Sequence, residues 1–186
     1  MRLRTERLSL RPVTPGDAGA LREHWGDPAV REHLFDGEPV TEALAAELVA
    51  ASERDFREAG YGLWAVFGAP EPGSGGPPGW DGPAGEAGPA GEDGGLVGVC
   101  GLRADDGGEA ELVYSLAPRS RGRGLAAEAT RAVLGHAFGS AGLKRVVAEV
   151  DPGNAPSAAL AVRLGMAPVP DAPGPYLRFV LEAPGA

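Results

Sequence analysis

The spacing of apolar positions changes twice in the first sixty residues. Leu8-Ser9-Leu10 alternates as a short strand does. Thr14-Pro15-Gly16-Asp17 then offers an N-cap, a proline for the first helical position and an acid for the first turn, so a helix is expected there. Asp27-Pro28 repeats that start signal. From Thr41 onward, Leu44, Leu48, Ser52 and Phe56 recur every four residues with Glu and Arg between them. This predicts a longer amphipathic helix that buries that row and stops at Gly60. Tyr61–Phe67 and Leu96–Leu102 are rich in aromatic and branched residues and read as strands.

The later elements follow the same logic. Glu109–Leu116 is expected to be a strand. Gly122–Phe138 is expected to be a helix with Leu125, Ala129, Val133 and His136 or Ala137 on one side. Leu143–Val150 reads as a strand, Ala155–Leu164 as a short helix and Tyr176–Leu181 as a last strand. Strand, helix and strand between Glu109 and Val150 imply a right-handed crossover joining parallel strands. Hairpins on either side make the fold class mixed α/β (α+β): a central, mostly antiparallel sheet flanked by helices.

Residues 68–95 interrupt this pattern with almost pure Gly, Pro, Ala and acid. Glycine falls at 73, 76, 79, 82, 85, 88, 91 and 94, a three-residue period that raises the question of a collagen-like helix. Seven triplets at about 3 Å per residue would part the ends by roughly 60 Å, whereas paired flanking strands must lie about 5 Å apart. A disordered acidic insertion is therefore expected. With 43% hydrophobic and 23% charged residues, the rest of the 186-residue chain can bury one core, a single domain over 1–186.

Charge and rare residues narrow the function. The net charge is −9, which disfavours non-specific nucleic-acid binding. No apolar run approaches the roughly 18 residues that span a membrane, and charges break the first residues where a secretory signal would lie. A cytoplasmic protein without a membrane or nucleic-acid partner is expected, with the oligomeric state open and a homodimer compatible. The single Cys100 excludes an intrachain disulfide and reads as a small buried residue. His24 and His33 are not at the i, i+4 spacing of two ligands on one helix face, so no metal is expected.

The chemistry concentrates in Arg119-Ser120-Arg121-Gly122-Arg123-Gly124-Leu125-Ala126-Ala127, which follows a strand and opens a helix. A helix N-terminus has unpaired N–H groups and the positive end of its dipole. Glycines let backbone approach a phosphate, and arginines add forked donors. The pattern suits a pyrophosphate-bearing ligand. It also fits G-x-G-x-x-A of dinucleotide sites, with Glu149 or Asp151 as a ribose-binding acid, but two helices and a hairpin precede it and only one crossover is evident.

Together with Asn154-Ala155-Pro156-Ser157, the opening Thr5-Glu6-Arg7-Leu8-Ser9-Leu10-Arg11-Pro12 and the strand Ala110-Glu111-Leu112-Val113-Tyr114, this run resembles the GNAT acyl-CoA N-acyltransferase superfamily, RimJ/RimL-like branch, across nearly the whole chain. Its Q/R-x-x-G-x-G/A motif is matched by Arg121, Gly124 and Ala126. The resemblance implies an N-acetyltransferase that uses acetyl-CoA and an amine acceptor by direct attack; separately, 16 Arg against the single Lys144, with abundant Ala, Gly and Pro, suggest a GC-rich bacterial source. A non-catalytic acyl-CoA-binding module, or use of another acyl-CoA such as succinyl-CoA, remains the alternative.

It further implies that Arg121, Gly122, Arg123, Gly124, Leu125 and Ala126 hold the CoA pyrophosphate, and that Leu116 and Ala117 pair with the pantetheine arm. Asn154 would bond that arm, and it is equally suited to capping a helix. Amine attack on a thioester needs a base, an oxyanion donor and a proton for the departing sulfur. The resemblance and the position of Glu111 on the thioester-bearing strand make it the base candidate, with Glu109 as the spare. A backbone N–H between Tyr114 and Leu116 suits the oxyanion. For the leaving-group acid the resemblance implies Ser157, also a CoA contact, with Tyr114 or Tyr176 behind it. Trp25, Phe35 and Trp64 are expected to line the acceptor pocket, where each is also a plausible core residue.

Overall fold

A computed structural model describes residues 1–68, 95–105 and 107–185. Short apolar stretches separated by glycine and proline build eight strands: β1 Leu3–Arg4, β2 Leu8–Pro12, β3 Leu63–Gly68, β4 Leu96–Ala104, β5 Ala110–Leu116, β6 Arg145–Val150, β7 Ala167–Pro168 and β8 Leu177–Glu182. Among the described residues, five α-helices accompany them: α1 Ala18–Gly26, α2 Pro28–Arg31, α3 Glu42–Ala59, α4 Leu125–Gly139 and α5 Ala155–Arg163. All strands join one sheet in the order β1-β2-β3-β4-β5-β6-β8-β7, antiparallel except for β5 against β6. The insertion expected to be disordered lies outside the described residues except for its ends at Gly68 and Gly95. Among the described residues, no helix is long and apolar enough to cross a membrane.

The helix starts follow the local signals. Thr14 and Asp17 form a reciprocal capping box, and Arg11 grips the same carboxylate with two bonds of 2.7 Å. Burial alone would raise the Asp17 carboxyl, but the bonds from Arg11 and Thr14 hold it below its ordinary value. Asp27 accepts from Ala29 N, and Thr41 accepts from Leu44 N. Gly60, at φ 75°, ends α3 in the left-handed conformation.

The row that α3 buries is displaced from the expected one. Ala45, Val49 and Ser52 are buried, while Leu44, Leu48 and Phe56 are only partly covered. Small Ala45 lets the helix approach the sheet, and Ser52 belongs in this row because its Oγ accepts from Leu63 N at 2.7 Å. Two apolar layers result. Trp64, Cys100, Leu112 and Val146 lie in the layer under α4, whereas Ala65, Val99 and Val113 lie in the one under α1 and α3. The pleat therefore sends alternate β5 residues to opposite faces.

Candidate active site

Helix α4 begins at Leu125, not at Gly122 as the pattern suggested, because Gly122 and Gly124 adopt φ 73° and 76°. These are left-handed values that a helix interior does not allow and that glycine tolerates. Gly124 is the N-cap and has no side chain to occupy the first-turn N–H groups. The fifteen-residue helix thus presents its positive end and a bare backbone at one point. Glu128, in that first turn, is held away from it: Thr5 Oγ1, Arg7 N and Arg7 Nε all donate to its carboxylate, and Arg7 Nη1 donates to Arg123 O.

Arg121 and Arg123 are the arginines of the run expected at the phosphates. Arg121 donates through Nε to Leu116 O at 3.1 Å and through Nη2 to Ala29 O at 2.8 Å. Arg119 donates to Leu96 O. Arg123 is exposed and stands outside the cavity wall described below. Arg7 is the cation sequence reading overlooked; its Nη2 lies 3.6 Å from where a Cβ on Gly124 would stand.

The parallel strands β5 and β6 are bridged only at Glu111 and Val147, although β5 runs on to Leu116 and β6 to Val150. Beyond the bridge they part. Ala117 N donates to Val97 O and Asp105 N to Glu109 O. Antiparallel alternation then turns the backbone polar groups of Glu111, Val113 and Ser115 toward β4, and those of Leu112, Tyr114 and Leu116 toward the gap. The gap opens into a cavity of about 870 Å³ lined by residues of β5, β6, α2, the α4 N-terminus and α5. The pantetheine-pairing expectation is corrected at two atoms: Leu116 O already accepts from Arg121, and Ala117 N is spent on Val97 O.

The candidate side chains distribute over both faces of this gap. On the α4 face, Tyr114 Oη and Ser157 Oγ share a 2.6 Å hydrogen bond. Burial pushes the Tyr114 phenol above its ordinary value, with the Ser157 bond opposing, so it keeps its proton at neutral pH. Asn154 caps α5 by accepting from Ser157 N at 3.1 Å, and it also lines the cavity. On the other face, Glu111 is buried and accepts from Arg103 Nε at 2.7 Å. Glu109 is bound by Arg145 and Arg178 outside the cavity wall, which removes it as the spare base. Tyr176 is exposed at the wall.

Of the three aromatic candidates, Trp25 and Phe35 line the cavity and meet edge to face at 5.7 Å. Phe35 holds φ 54°, unusual for a bulky residue. Trp64 does not belong to the site: it is wholly buried between Phe56 and His136 in the layer under α4. Cys100 is buried too, and desolvation pushes its thiol up to about 12. Two pairs escaped sequence reading. His33 Nδ1 bonds Asp151 Oδ2 at 2.9 Å, both in the cavity wall. His24 Nε2 bonds Ser115 Oγ at 2.8 Å inside the protein. Leu21, His24 and Trp25 form one buried stripe of α1, a pattern that signals burial but not a partner. Among the described residues, no group of three or more His, Cys, Asp or Glu is placed to hold a metal ion.

His24 carries a prediction. Burial pushes its imidazole down to about 4, with Asp27 opposing. An unfolded histidine protonates near pH 6.5. Between these values the unfolded chain binds the extra proton, so the contribution to stability is complete above about pH 6.5 and is lost as pH falls toward 4. The expected loss is about 3 kcal/mol, read by urea denaturation across that range. His24→Gln is expected to flatten the dependence; an equally steep curve would exonerate His24.

Comparison with known proteins places the chain. Residues 7–167 match the family described as the acetyltransferase (GNAT) domain. The chain is 29% identical over 157 residues to the uncharacterized N-acetyltransferase p20 of Bacillus licheniformis, covering 83% of this chain and 76% of that protein. The acetyltransferase of Agrobacterium tumefaciens strain C58 has a crystal structure that superposes with a TM-score of 0.76 at 27% identity, over 98% of this chain and 94% of that one. Spermidine N-acetyltransferase of Vibrio cholerae, solved with CoA and spermine, shares the fold at a TM-score of 0.68 and 17% identity, over 96% and 97% of the two chains. With the family match running from the second strand past the last helix, this chain belongs to the GNAT acetyltransferases.

Proposed function

We propose that this acyltransferase binds acetyl-CoA and transfers its acetyl group to a primary amine by direct attack in a ternary complex, acting in the cytoplasm as a single RimJ/RimL-like domain. The observation that carries the reading is the parting of β5 from β6 beside an N-terminus of α4 that no side chain caps. The bare amides after Gly122 and Gly124 suit the pyrophosphate. The pantetheine arm would lie in the gap, where Tyr114 and Leu116 turn their backbone polar groups, as an added strand does at a sheet edge.

The thioester would then sit beside the N–H groups of Tyr114 and Leu116, which suit the oxyanion. Glu111, reached from the opposite face, takes the proton of the incoming ammonium through water. Tyr114 and Ser157 form a proton-bearing pair on the leaving-group side, where the departing sulfur takes a proton. Glu149 is engaged by Arg178 and Asp151 by His33, so neither serves as the ribose anchor that a dinucleotide would need. Calorimetric titration tests the reading: acetyl-CoA is expected to saturate the folded chain at one site, and NADH is expected not to bind. A folded sample that ignores acetyl-CoA would refute the reading.

A further inference from the structure

The acetyltransferase reading, on which this inference rests, leaves the acceptor open, and one wall of the cavity bears on it. Arg103 and Glu111 are cross-strand partners on the face covered by α1 and α3. The Glu111 side chain is 8% exposed and that of Arg103 is 52% exposed, and both line the cavity. Only the Nε edge of the guanidinium is directed at Glu111. Its outer, two-nitrogen edge is the one suited to a second carboxylate. A positive and a negative group thus stand side by side in the wall.

Beyond this pair the wall turns apolar. Val113 follows Glu111 on the same face about 7 Å along the strand, with Val99 on β4 close by. Trp25, Phe35 and Leu48 line the same cavity from the helical side. The aromatic pair is fixed edge to face. The wall thus combines a +/− pair with an apolar trough one side chain long.

We propose that the acceptor is a free α-amino acid with a large apolar side chain. Its ammonium complements Glu111, its carboxylate complements the outer edge of Arg103, and its side chain lies between Val113 and the Trp25–Phe35 pair. The ammonium gives one proton to solvent through Glu111. The amine nitrogen then forms the C–N bond as the C–S bond breaks, and its second proton ends on the CoA sulfur. A peptide N-terminus would set a neutral amide against Arg103. A polyamine carries no carboxylate to set against the outer edge of Arg103, and its remote ammonium groups would be laid along the apolar wall of Val113, Trp25 and Phe35.

Thiol release from acetyl-CoA, followed with the full chain, compares L-phenylalanine, L-phenylalaninamide, a phenylalanyl dipeptide and spermidine. L-phenylalanine is expected to exceed the amide in kcat/KM by about 100-fold, the cost of leaving a charge-assisted partner unpaired. Arg103→Gln is expected to collapse that ratio toward unity whatever it does to overall rate. If that variant fails to fold, the ratio in the unaltered protein decides alone. Amide, dipeptide or spermidine turnover equal to or above that of L-phenylalanine overturns the proposal, as does no turnover of the amino acid by protein that binds acetyl-CoA. Failure to bind acetyl-CoA at all would instead remove the acetyl-transfer reading, and this one with it.

Discussion

Gly124→Asp is expected to weaken acetyl-CoA binding several hundred-fold relative to Gly124→Asn, with α4 intact in both. Gly124 sits at φ 76°, and Asn and Asp are the side chains that tolerate that region best. A Cβ there would meet only Arg7 Nη2 at 3.6 Å, an ordinary contact. The two side chains have nearly the same size and tolerance of the left-handed region, so whatever the N-cap backbone costs α4 is common to both. They differ in one charge. A carboxylate about 5 Å from a phosphate, at an effective dielectric of about 20, costs about 3 kcal/mol, or more than two orders of magnitude in affinity. Comparing the two variants by calorimetry cancels the backbone strain they share. Equal affinities would mean that the pyrophosphate binds away from the α4 N-terminus.

The features that were legible in the sequence are those carried by the backbone or by local spacing. Thr14, Asp27 and Thr41 announce their helices because a cap needs only residues two or three positions away. The turn containing Gly122 and Gly124 could be read as an anion site for the same reason, although its left-handed glycines delay the helix to Leu125. Strands β1 and β7 escaped because two residues show no alternation. In α3 an apolar stripe two rows wide left the buried row ambiguous between Leu44–Leu48 and Ala45–Val49.

Side-chain pairing across the fold was not legible. Arg7 meets Glu128 from 121 residues away, His33 meets Asp151 from 118 and His24 meets Ser115 from 91. No local pattern encodes these partners; they follow from the strand order. The same holds for Arg119 and Arg121. Their place beside the glycines suggested phosphate ligands, whereas their guanidinium groups close backbone carbonyls at Leu96, Leu116 and Ala29. Arg121 thereby ties α2 to the end of β5, over the cavity that both line.

Trp64→Ala is expected to destabilise the protein by about 3–5 kcal/mol, the range for removing a large aromatic from a closed core. The side chain is fully buried, with Phe56 at 5.1 Å and His136 at 5.3 Å, both edge to face. Each such ring contact contributes about 0.5–1.5 kcal/mol beyond area burial. Register explains why this tryptophan differs from Trp25. Trp64 pairs with Cys100, which pairs with Tyr114, and that row faces α4. The next row, Ala65, Val99 and Ser115, faces α1, which carries Trp25, and the layer in which Phe35 packs. Trp64 stands on β3, two strands away from the β5–β6 gap, and is closed in by Phe56 and His136, so the cavity is formed without it. Against a total stability of about 5–15 kcal/mol, the loss should shift the urea midpoint strongly and lower soluble yield. Trp64→Phe, which keeps most of the ring, should recover much of it. A Trp64→Ala protein of ordinary stability but raised acceptor KM would return this residue to the site and contradict the register that puts it under α4.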